Sequence, residues 1–388
     1  MALQRTVSAF NPRLYDVFAG LDVDKRSIVV TFTDWRQSVK SIRMPYSSQH
    51  LIGYVRKHFP KKRIAFVYEA GPTGFGLFDQ LTAKGHPCLV VAPSMVPRAP
   101  GQRVKTNRLD SENLSRKLRG GDLQSIHVPS PTYRELRHLV QLRDTHVSQV
   151  AATKCRIKSL LTYEGIEFPA ENETWSAEAV RKLQELNCSG AVRFKLDNLI
   201  RTLQFHFQSA AATHKELRRY CHNNPELQKT IALLTSIPGI GLTVATHLAA
   251  RLGDPEEITK LTQIAGFLGL ASSERSTGDS QNRGPITRVG DSRLRNKLIQ
   301  SAWVAIRKDP ELLAFYRRIH NRNPKDAAAK KAIVAVARKL TTRIYAILKQ
   351  QRPYVLRPDS SIVSLTKDET GGPTGKARRR TERSATKG

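Results

Sequence analysis

Short apolar runs alternate with amphipathic segments in the first third of the chain. The apolar runs at 15–23 and 26–35 are separated only by Asp24 and Lys25, a spacing that predicts a β-hairpin. Strand-like runs and helix-like spacings of three or four then follow one another. The other predicted strands lie at 39–46, 63–71 and 88–93, and the predicted helices lie near 51–55, 74–85 and 107–121. This order predicts a mixed α/β domain.

Two long stretches farther along the chain carry a heptad pattern, with apolar residues at alternating spacings of four and three. The first runs from 136 to 161 and the second from 196 to 221. The linker between them contains Pro169 and Gly190, so the pattern predicts an antiparallel helical coiled-coil hairpin. Such seams close within one chain or between subunits, and the spacing does not decide between these. We favour association between subunits.

The remainder of the chain has a third character, mostly helical with a glycine-rich middle, and it ends in a basic tail. The sequence thus predicts an α/β domain combined with all-α parts. Its predicted divisions are a leader at 1–15, a mixed-sheet domain at 16–128, a helical coiled-coil region at 129–227, a mostly helical C-terminal domain at 228–352 and a disordered basic tail at 353–388.

The net charge points to the class of partner. The 388 residues include 64 Lys and Arg against 33 Asp and Glu, a net charge of +31. A surplus of this size destabilises the compact state unless a polyanion binds, so we expect a nucleic-acid partner. No apolar run reaches the ~18 residues of a membrane span, and no signal peptide or Cys-based zinc spacing is present in the sequence. We expect a cytoplasmic, nucleoid-associated protein with no membrane partner.

Three acidic residues of the first domain are candidates for metal-dependent chemistry. Asp22 lies near the end of the first predicted strand, Glu69 ends the fourth, and Asp110 lies on the helix after the fifth. Two-metal phosphodiester chemistry requires carboxylates that converge in this way, and Mg²⁺ prefers such oxygen ligands. Asn107 lies three residues before Asp110, on the same helical face, and offers an uncharged carbonyl oxygen.

Five segments together resemble one protein family. They are GLDVDK at 20–25, YEAGPTGFGLFDQL at 68–81, RVKTNRLDSENLSRKLRGGDL at 103–123, IPGIGLTVA at 237–245 and SSERSTGDSQNRGPITRVGDSRLRNKLIQSAW at 272–303. In order and spacing they resemble the DEDD-type insertion-sequence transposases of the IS one-ten family, which are relatives of the Piv DNA invertases. The resemblance covers about residues 16–350.

The resemblance implies a first domain similar to the RuvC resolvase, with an RNase H-like fold and an Asp-Glu-Asp-Asp site for Mg²⁺, with two ions expected. Asp22, Glu69 and Asp110 match the first, second and last of these acids, and Asn107 stands in the place of the third. We expect Asn107 to remain a ligand or a neighbour of one. The nearby basic residues Arg103 and Lys105 are then expected to contact phosphates of the scissile strand.

The same resemblance implies a serine nucleophile from a Ser-Gly motif of the second domain. The matching stretch here contains Ser276, Thr277 and Gly278. Either hydroxyl is able to attack a phosphodiester, and we favour Ser276 because a primary alcohol is less hindered. Metal bound by the first domain would activate it, which predicts a composite active site. The basic residues expected to contact phosphate beside it are Arg283, Arg288 and Arg293.

The segment at 237–245 resembles the hairpin of helix-hairpin-helix modules. In such hairpins glycine N–H groups meet phosphate oxygens at a helix N-terminus. The segment places Gly239 and Gly241 at these positions, so we expect both to contact the DNA backbone.

The implied function is a recombinase that cuts and rejoins DNA to move an insertion sequence through a covalent serine–DNA intermediate. The resemblance further implies a structured guide RNA, a bridge RNA, and a dimer that pairs into a tetramer on two DNA duplexes. Two alternatives remain open from the sequence. One is a RuvC-like nuclease that uses activated water, and the other is an inactive nucleic-acid-binding relic, suggested by Asn107.

Overall fold

A five-stranded sheet forms the centre of the first domain in the computed structural model, which describes residues 10–37, 39–97, 106–170, 174–253, 261–274, 283–322 and 325–356. The strands are β1 (Val17–Val23), β2 (Ser27–Asp34), β3 (Val39–Pro45), β4 (Ile64–Glu69) and β5 (Cys88–Val91). Their order in the sheet is β3-β2-β1-β4-β5. The first three strands are antiparallel neighbours, whereas β1, β4 and β5 run parallel. The predicted mixed sheet is confirmed.

Helices cover both faces of this sheet. They are α1 (Ser48–His58), α2 (Gly76–Thr82) and α3 (Asn107–Gly120). Apolar residues of α1 and α2 pack with Ala19 and Leu21 on one face, and Leu114 and Leu118 of α3 pack with Phe18 on the other. The alternation of side chains along β1 therefore assigns each of its residues to one helix layer or the other.

Two helices of 33 and 34 residues, α4 (Pro131–Tyr163) and α6 (Gly190–Asn223), pack side by side and antiparallel. A short helix, α5 (Ala177–Glu185), lies between them in the chain. Their apolar seam is buried near both ends but opens in the middle, where Val147 and Phe207 are each 44% exposed. His146 and His206 face each other there, with their Nδ1 atoms 3.1 Å apart. The predicted pair of long helices is confirmed, while a continuously buried heptad seam is not observed within this chain.

The last part of the described chain is mostly helical, as predicted. Its elements are α7 (Pro225–Thr235), α8 (Leu242–Leu252), α9 (Leu261–Phe267), β6 (Ser272–Glu274), β7 (Arg283–Ile286), α10 (Ser292–Lys308), α11 (Pro310–His320) and α12 (Lys325–Gln350). Their hydrophobic core also contains Leu136 and Val140 of α4 and Leu217 of α6. The base of the helical hairpin and the C-terminal helices thus share one core. Within the described residues, no helix combines the length and the apolar character that crossing a bilayer requires.

Candidate active site

Asp22 and Glu69 lie at the same edge of the sheet and on the same face. The parallel register pairs Leu21 with Tyr68, so Asp22 and Glu69 occupy the next position on β1 and β4. Both are partly buried. Because side chains alternate between faces, Asp22 shares the face of Phe18, which α3 covers, and Glu69 shares that face from β4. The register of the sheet therefore places these two strand ends side by side, as the sequence predicted.

A close approach of α3 to β1 fixes the position of the helix on this face. Gly20 permits it, because a Cβ atom at this position would lie 2.1 Å from the carbonyl oxygen of Ser111. The Ser111 hydroxyl is also 2.7 Å from the hydroxyl of Thr31, and the hydroxyls of Ser115 and Thr33 are 2.7 Å apart. These buried contacts set the register of the helix along the strands.

That register brings the start of α3 toward Asp22. Ser115 pairs with Thr33, and Ser111 with Thr31, so the helix runs along β2 with its first turn near the edge that carries Asp22. Asp110 lies in this first turn and is partly buried, whereas Asn107 is exposed. A carboxylate in the first turn of a helix is stabilised by the helix dipole. The start of α3 thus supplies the third acid and the amide to the edge that carries Asp22 and Glu69, the catalytic edge.

The donor chemistry of the catalytic edge suits a divalent metal ion, since three carboxylates and an amide oxygen are hard ligands. The side chains themselves are not gathered into a metal cage. Across the part of the chain that the structure describes, no group of three or more His, Cys, Asp or Glu residues is arranged to hold a metal ion. The backbone therefore places the donors at one edge of the sheet.

The predicted nucleophiles and two predicted phosphate contacts lie outside the described residues. These are Ser276, Thr277, Arg103 and Lys105, and the predicted basic tail also lies there from residue 357 onward. The first residues of that predicted tail are packed, since Tyr354 forms hydrogen bonds with Ser236 and Asp309. The strands that flank the segment containing Ser276, β6 and β7, pair antiparallel. The backbone of Arg288 adopts a positive φ of 55°, and its carbonyl accepts a hydrogen bond from Arg295 at 3.3 Å.

Of the basic residues predicted to contact phosphate beside this segment, Arg288 and Arg293 are exposed. Arg293 lies in the first turn of α10, and Arg283 begins β7. Their exposure leaves Arg288 and Arg293 accessible to nucleic acid.

The two glycines of the predicted hairpin have different surroundings. Gly239 has a φ of 87°, and a Cβ atom there would lie 2.4 Å from the carbonyl oxygen of Ser301 on α10. Gly239 therefore serves the close packing of the turn against α10. Gly241, in contrast, is exposed at the start of α8, with no side chain capping the helix and no atom near its Cβ position. A phosphate contact at a helix N-terminus is thus compatible with Gly241.

Arg134 of α4 joins the helical hairpin to the first domain. Its guanidinium donates two hydrogen bonds to the carboxylate of Asp79 on α2, at 2.8 and 2.9 Å. Because α2 follows the strand that ends at Glu69, this pair ties the catalytic edge to α4. Three residues farther along α4, Arg137 donates to the carbonyl of Ala250 at the end of α8, at 3.1 Å. One face of α4 thus contacts both domains, an arrangement that sequence spacing does not reveal.

A buried charged group holds α4, α8 and α10 together. The Nε2 atom of His247 lies 2.9 Å from both carboxylate oxygens of Asp144, and its Nδ1 atom lies 2.6 Å from the carbonyl oxygen of Thr243. Both ring nitrogens thus lie within hydrogen-bonding distance of oxygen atoms on α4 and α8. Lys297 approaches Asp144 to 3.4 Å. Burial acts to raise the pKa of Asp144, but the hydrogen bond and charge of His247, together with Lys297, lower it to about 2.

We expect the Asp144→Ala substitution to destabilise the protein by about 3 kcal/mol at pH 7, because it removes the carboxylate that contacts both the buried His247 ring and Lys297. The depressed pKa adds a pH dependence. Asp144 contributes its full stabilisation above the pKa of an unfolded Asp, and this contribution falls as pH decreases from about 4 toward 2. Thermal unfolding of both proteins measures the effect. Glu185→Ala, which breaks an exposed ion pair with Arg181, is the control and should change stability by less than about 0.5 kcal/mol.

Two family models match the chain. One, for a DEDD-type transposase, matches residues 19–164, and the other, the transposase IS116/IS110/IS902 family, matches residues 231–317. The sheet and the acids of the catalytic edge lie within the first match, and Gly241 lies within the second. The two matches define a DEDD-type DNA transposase, an enzyme class that implies use of a divalent metal ion. The chain belongs to the IS110-type family of insertion-sequence transposases.

Curated relatives agree with this assignment. A putative transposase of Sinorhizobium fredii is 29% identical over 87% of this chain and 90% of its own length. The transposase of the insertion element IS1533 from Leptospira borgpetersenii is 20% identical over 74% of this chain and 84% of its own. A pilin gene-inverting protein of Moraxella bovis is 33% identical over 34% of this chain and 40% of its own. The predicted kinship to DNA invertases is thereby supported as well.

Proposed function

We propose that this transposase cuts and rejoins DNA through a hydroxyl nucleophile of its C-terminal domain and Mg²⁺ bound by its first domain. The observation that carries the proposal is the placement of Asp22, Glu69 and Asp110 at one sheet edge, with oxygen donors that suit Mg²⁺. Bound Mg²⁺ would stabilise charge on the phosphate and lower the pKa of the attacking hydroxyl. Asn107, in the first turn of α3 with Asp110, would add a neutral oxygen to the same site.

In the proposed reaction, the hydroxyl oxygen of Ser276 or Thr277 forms a bond to phosphorus, and the bond to the leaving deoxyribose oxygen breaks. The chain's own basic residues would orient the phosphate. Arg288 and Arg293 are exposed near the segment that carries the hydroxyls, and Gly241 opens the N-terminus of α8 to a second phosphate. Arg103 and Lys105 precede α3 in the chain and are proposed to contact the scissile strand.

Replacing both Ser276 and Thr277 with Ala is expected to abolish strand cleavage, because no other hydroxyl is proposed to attack. Cleavage of labelled donor DNA, resolved on a denaturing gel, measures the effect. The two single substitutions identify which hydroxyl acts, and we expect Ser276→Ala to have the larger effect. Cleavage that survives in the double variant would instead favour a nuclease that uses activated water.

The Asn107→Asp substitution is expected to lower the Mg²⁺ concentration for half-maximal activity, because it adds a negative charge in the first turn of α3 beside Asp110. A Mg²⁺ titration of cleavage by both proteins provides the measurement. Glu112→Gln serves as the control, because it changes the charge of the same helix at a residue outside the proposed metal site. Glu112 instead forms an ion pair with Arg116 at 2.6 Å. An unchanged titration for Asn107→Asp would place residue 107 outside the metal site.

We further propose that a structured guide RNA, of the bridge-RNA type, selects the donor and target DNA, and that two dimers assemble into a tetramer on them. The net charge of +31 supports the binding of several nucleic acids at once. The open middle of the α4–α6 seam supports an association of subunits there. Sequencing of RNA that co-purifies with the protein tests the guide. One discrete species encoded beside the gene is expected, whereas a mixture of bulk cellular RNA would contradict guidance.

Asn107, which stands in the place of an acid, favours a second candidate, an inactive nucleic-acid-binding relic. The two proposals differ in a direct test, because Mg²⁺-dependent strand exchange by the unaltered protein is compatible only with the first.

A further inference from the structure

The edge of the sheet opposite Asp22 and Glu69 carries a dense group of cations. Since β1, β4 and β5 are parallel, their first residues share this edge, and β3 begins there too. The helices α1 and α2 end beside it. We define the cationic edge by seven exposed residues from four segments, which are Lys40, Arg56, Lys57, Lys61, Lys62, Arg63 and Lys84.

Charges from separate segments of the cationic edge act on the same groups. Desolvation by neighbouring atoms lowers the pKa of the exposed His58, and the charges of Lys40 on β3 and Lys57 on α1 lower it further. The ammonium group of Lys40 also lies 5.5 Å from the centre of the Tyr54 ring. The centres of the Tyr54 and His58 rings are 4.1 Å apart, and the two rings are nearly perpendicular. His58 on α1 thus lies in the combined electric field of cations on β3 and α1.

The second histidine of this edge, His86, also lies in the field of cations from two segments. Burial lowers the pKa of His86, and the charges of Arg56 on α1 and Lys84 after α2 lower it further. The cations of β3, α1 and the turn after α2 therefore act together, and Lys62 and Arg63 of the turn before β4 line the same depression as His86.

This surface has few carboxylates to neutralise it. Asp16 forms an ion pair with Arg63 at 3.7 Å, and Asp34 lies at the end of β2 on the same edge. Asp16 and Asp34 are thus the carboxylates that β1 and β2 contribute to an edge with seven exposed cations. The helix dipole of α1 stabilises cations in its last turn, which explains the presence of Arg56 and Lys57 there. It does not explain the cations on the other segments. Like charges gathered in this way repel one another, so the edge is stabilised when a polyanion binds.

A shallow, open depression lies in the cationic edge. It has a volume of about 680 Å³, and Lys62, Arg63, Thr82, His86 and Pro87 are among the residues that line it. The depression combines cationic walls with room for a sugar and a phosphate.

We propose that the cationic edge binds the phosphate backbone of duplex DNA, at a surface separate from the catalytic edge. This inference rests on the assignment of the chain as a DNA transposase, whose reaction joins two DNA segments that must be held at once. From Val17 to Asp22, β1 spans about 17 Å at roughly 3.3 Å per residue. A phosphate bound at Lys62 is therefore not the phosphate being cut near Asp22.

The test is the salt dependence of affinity for a 30-bp DNA duplex that lacks a cleavage site. The triple variant Lys57→Gln, Lys62→Gln, Lys84→Gln removes one cation from each of three segments. If each lysine contacts a phosphate, the slope of log affinity against log salt concentration should become shallower by about 2–3. A triple variant on α6, namely Arg201→Gln, Lys215→Gln and Arg218→Gln, removes the same charge elsewhere and should change the slope by less than about 1. The titrations contain EDTA, so the outcome does not depend on the catalytic proposal.

Equal slopes for the unaltered protein and the cationic-edge variant, with both folded by thermal melting, would overturn the proposal. So would an equal change in the two triple variants, since that would reflect net charge alone. A parallel titration with an RNA duplex distinguishes the source of the phosphates. Weakening of RNA affinity with DNA affinity intact would overturn the assignment to DNA.

Discussion

Replacing Asp22 with Asn is expected to reduce DNA strand cleavage by at least about 10³-fold. The substitution preserves the shape of the side chain but removes the negative charge from the β1 end of the catalytic edge. Loss of one carboxylate ligand is expected to remove about 4 kcal/mol of transition-state stabilisation, which corresponds to this factor. The rate of cleavage of labelled donor DNA in the presence of Mg²⁺ measures it, and the melting temperature should change little.

Asp24 provides a matched control two residues away. Its side chain is exposed in the turn after β1, where it accepts a hydrogen bond from the N–H of Lys25 at 2.6 Å. Asp24→Asn makes the same chemical change in nearly the same stretch of chain, so its cleavage rate should stay within about 2-fold of the unaltered protein. Equal losses in the two variants would mean that charge near this edge matters, but that Asp22 has no special role.

Gly20→Ala is expected to produce the largest loss of stability, about 3 kcal/mol or more. Overpacking of a close contact costs about 1–3 kcal/mol where side chains are able to adjust. Here the new methyl group would meet backbone atoms, the carbonyl oxygen of Ser111 at 2.1 Å and the N–H nitrogen of Ser115 at 2.5 Å. The helix α3 would have to move away from β1, and Asp110 would move with it. Denaturant unfolding and the cleavage rate should therefore decline together.

Gly53→Ala makes the same change where space is available. Gly53 lies within α1, and no atom lies within 4 Å of the position of its Cβ. Alanine is favoured over glycine in a helix interior by about 1 kcal/mol, so this variant should be as stable as the unaltered protein or slightly more stable. A Gly20→Ala protein with unchanged stability would contradict the role of the close approach in setting α3.

The sequence was sufficient to predict the sheet and the acids at its edge, because both follow from local patterns. Strand alternation and element order place Asp22 and Glu69 at one edge, and the register of β1 and β4 confirms this. The packing of α3 was not predictable in the same way. Gly20 is unremarkable in a sequence, and its importance follows from a helix that begins 87 residues later in the chain.

Long-range contacts set another limit to prediction from sequence. Gly239 and Gly241 are equivalent as a motif, yet one packs against α10 and the other is exposed. Asp144 and His247 are 103 residues apart in the chain, and no local spacing relates them. Such pairs become visible only when the helices that carry them are packed. The heptad pattern likewise predicted both long helices but not the open middle of their seam, because heptads specify burial without specifying the partner.

The central claim, a hydroxyl of the protein that becomes linked to DNA, is tested most directly by trapping the link. End-labelled donor DNA is incubated with the protein, its co-purifying RNA and Mg²⁺, denatured in detergent, and separated with and without protease treatment. The account predicts a slowly migrating labelled species that protease converts to a short peptide–DNA adduct and that the Ser276→Ala, Thr277→Ala double variant does not form. Cleaved DNA with free ends only, and no protease-sensitive species at any time point, would contradict it.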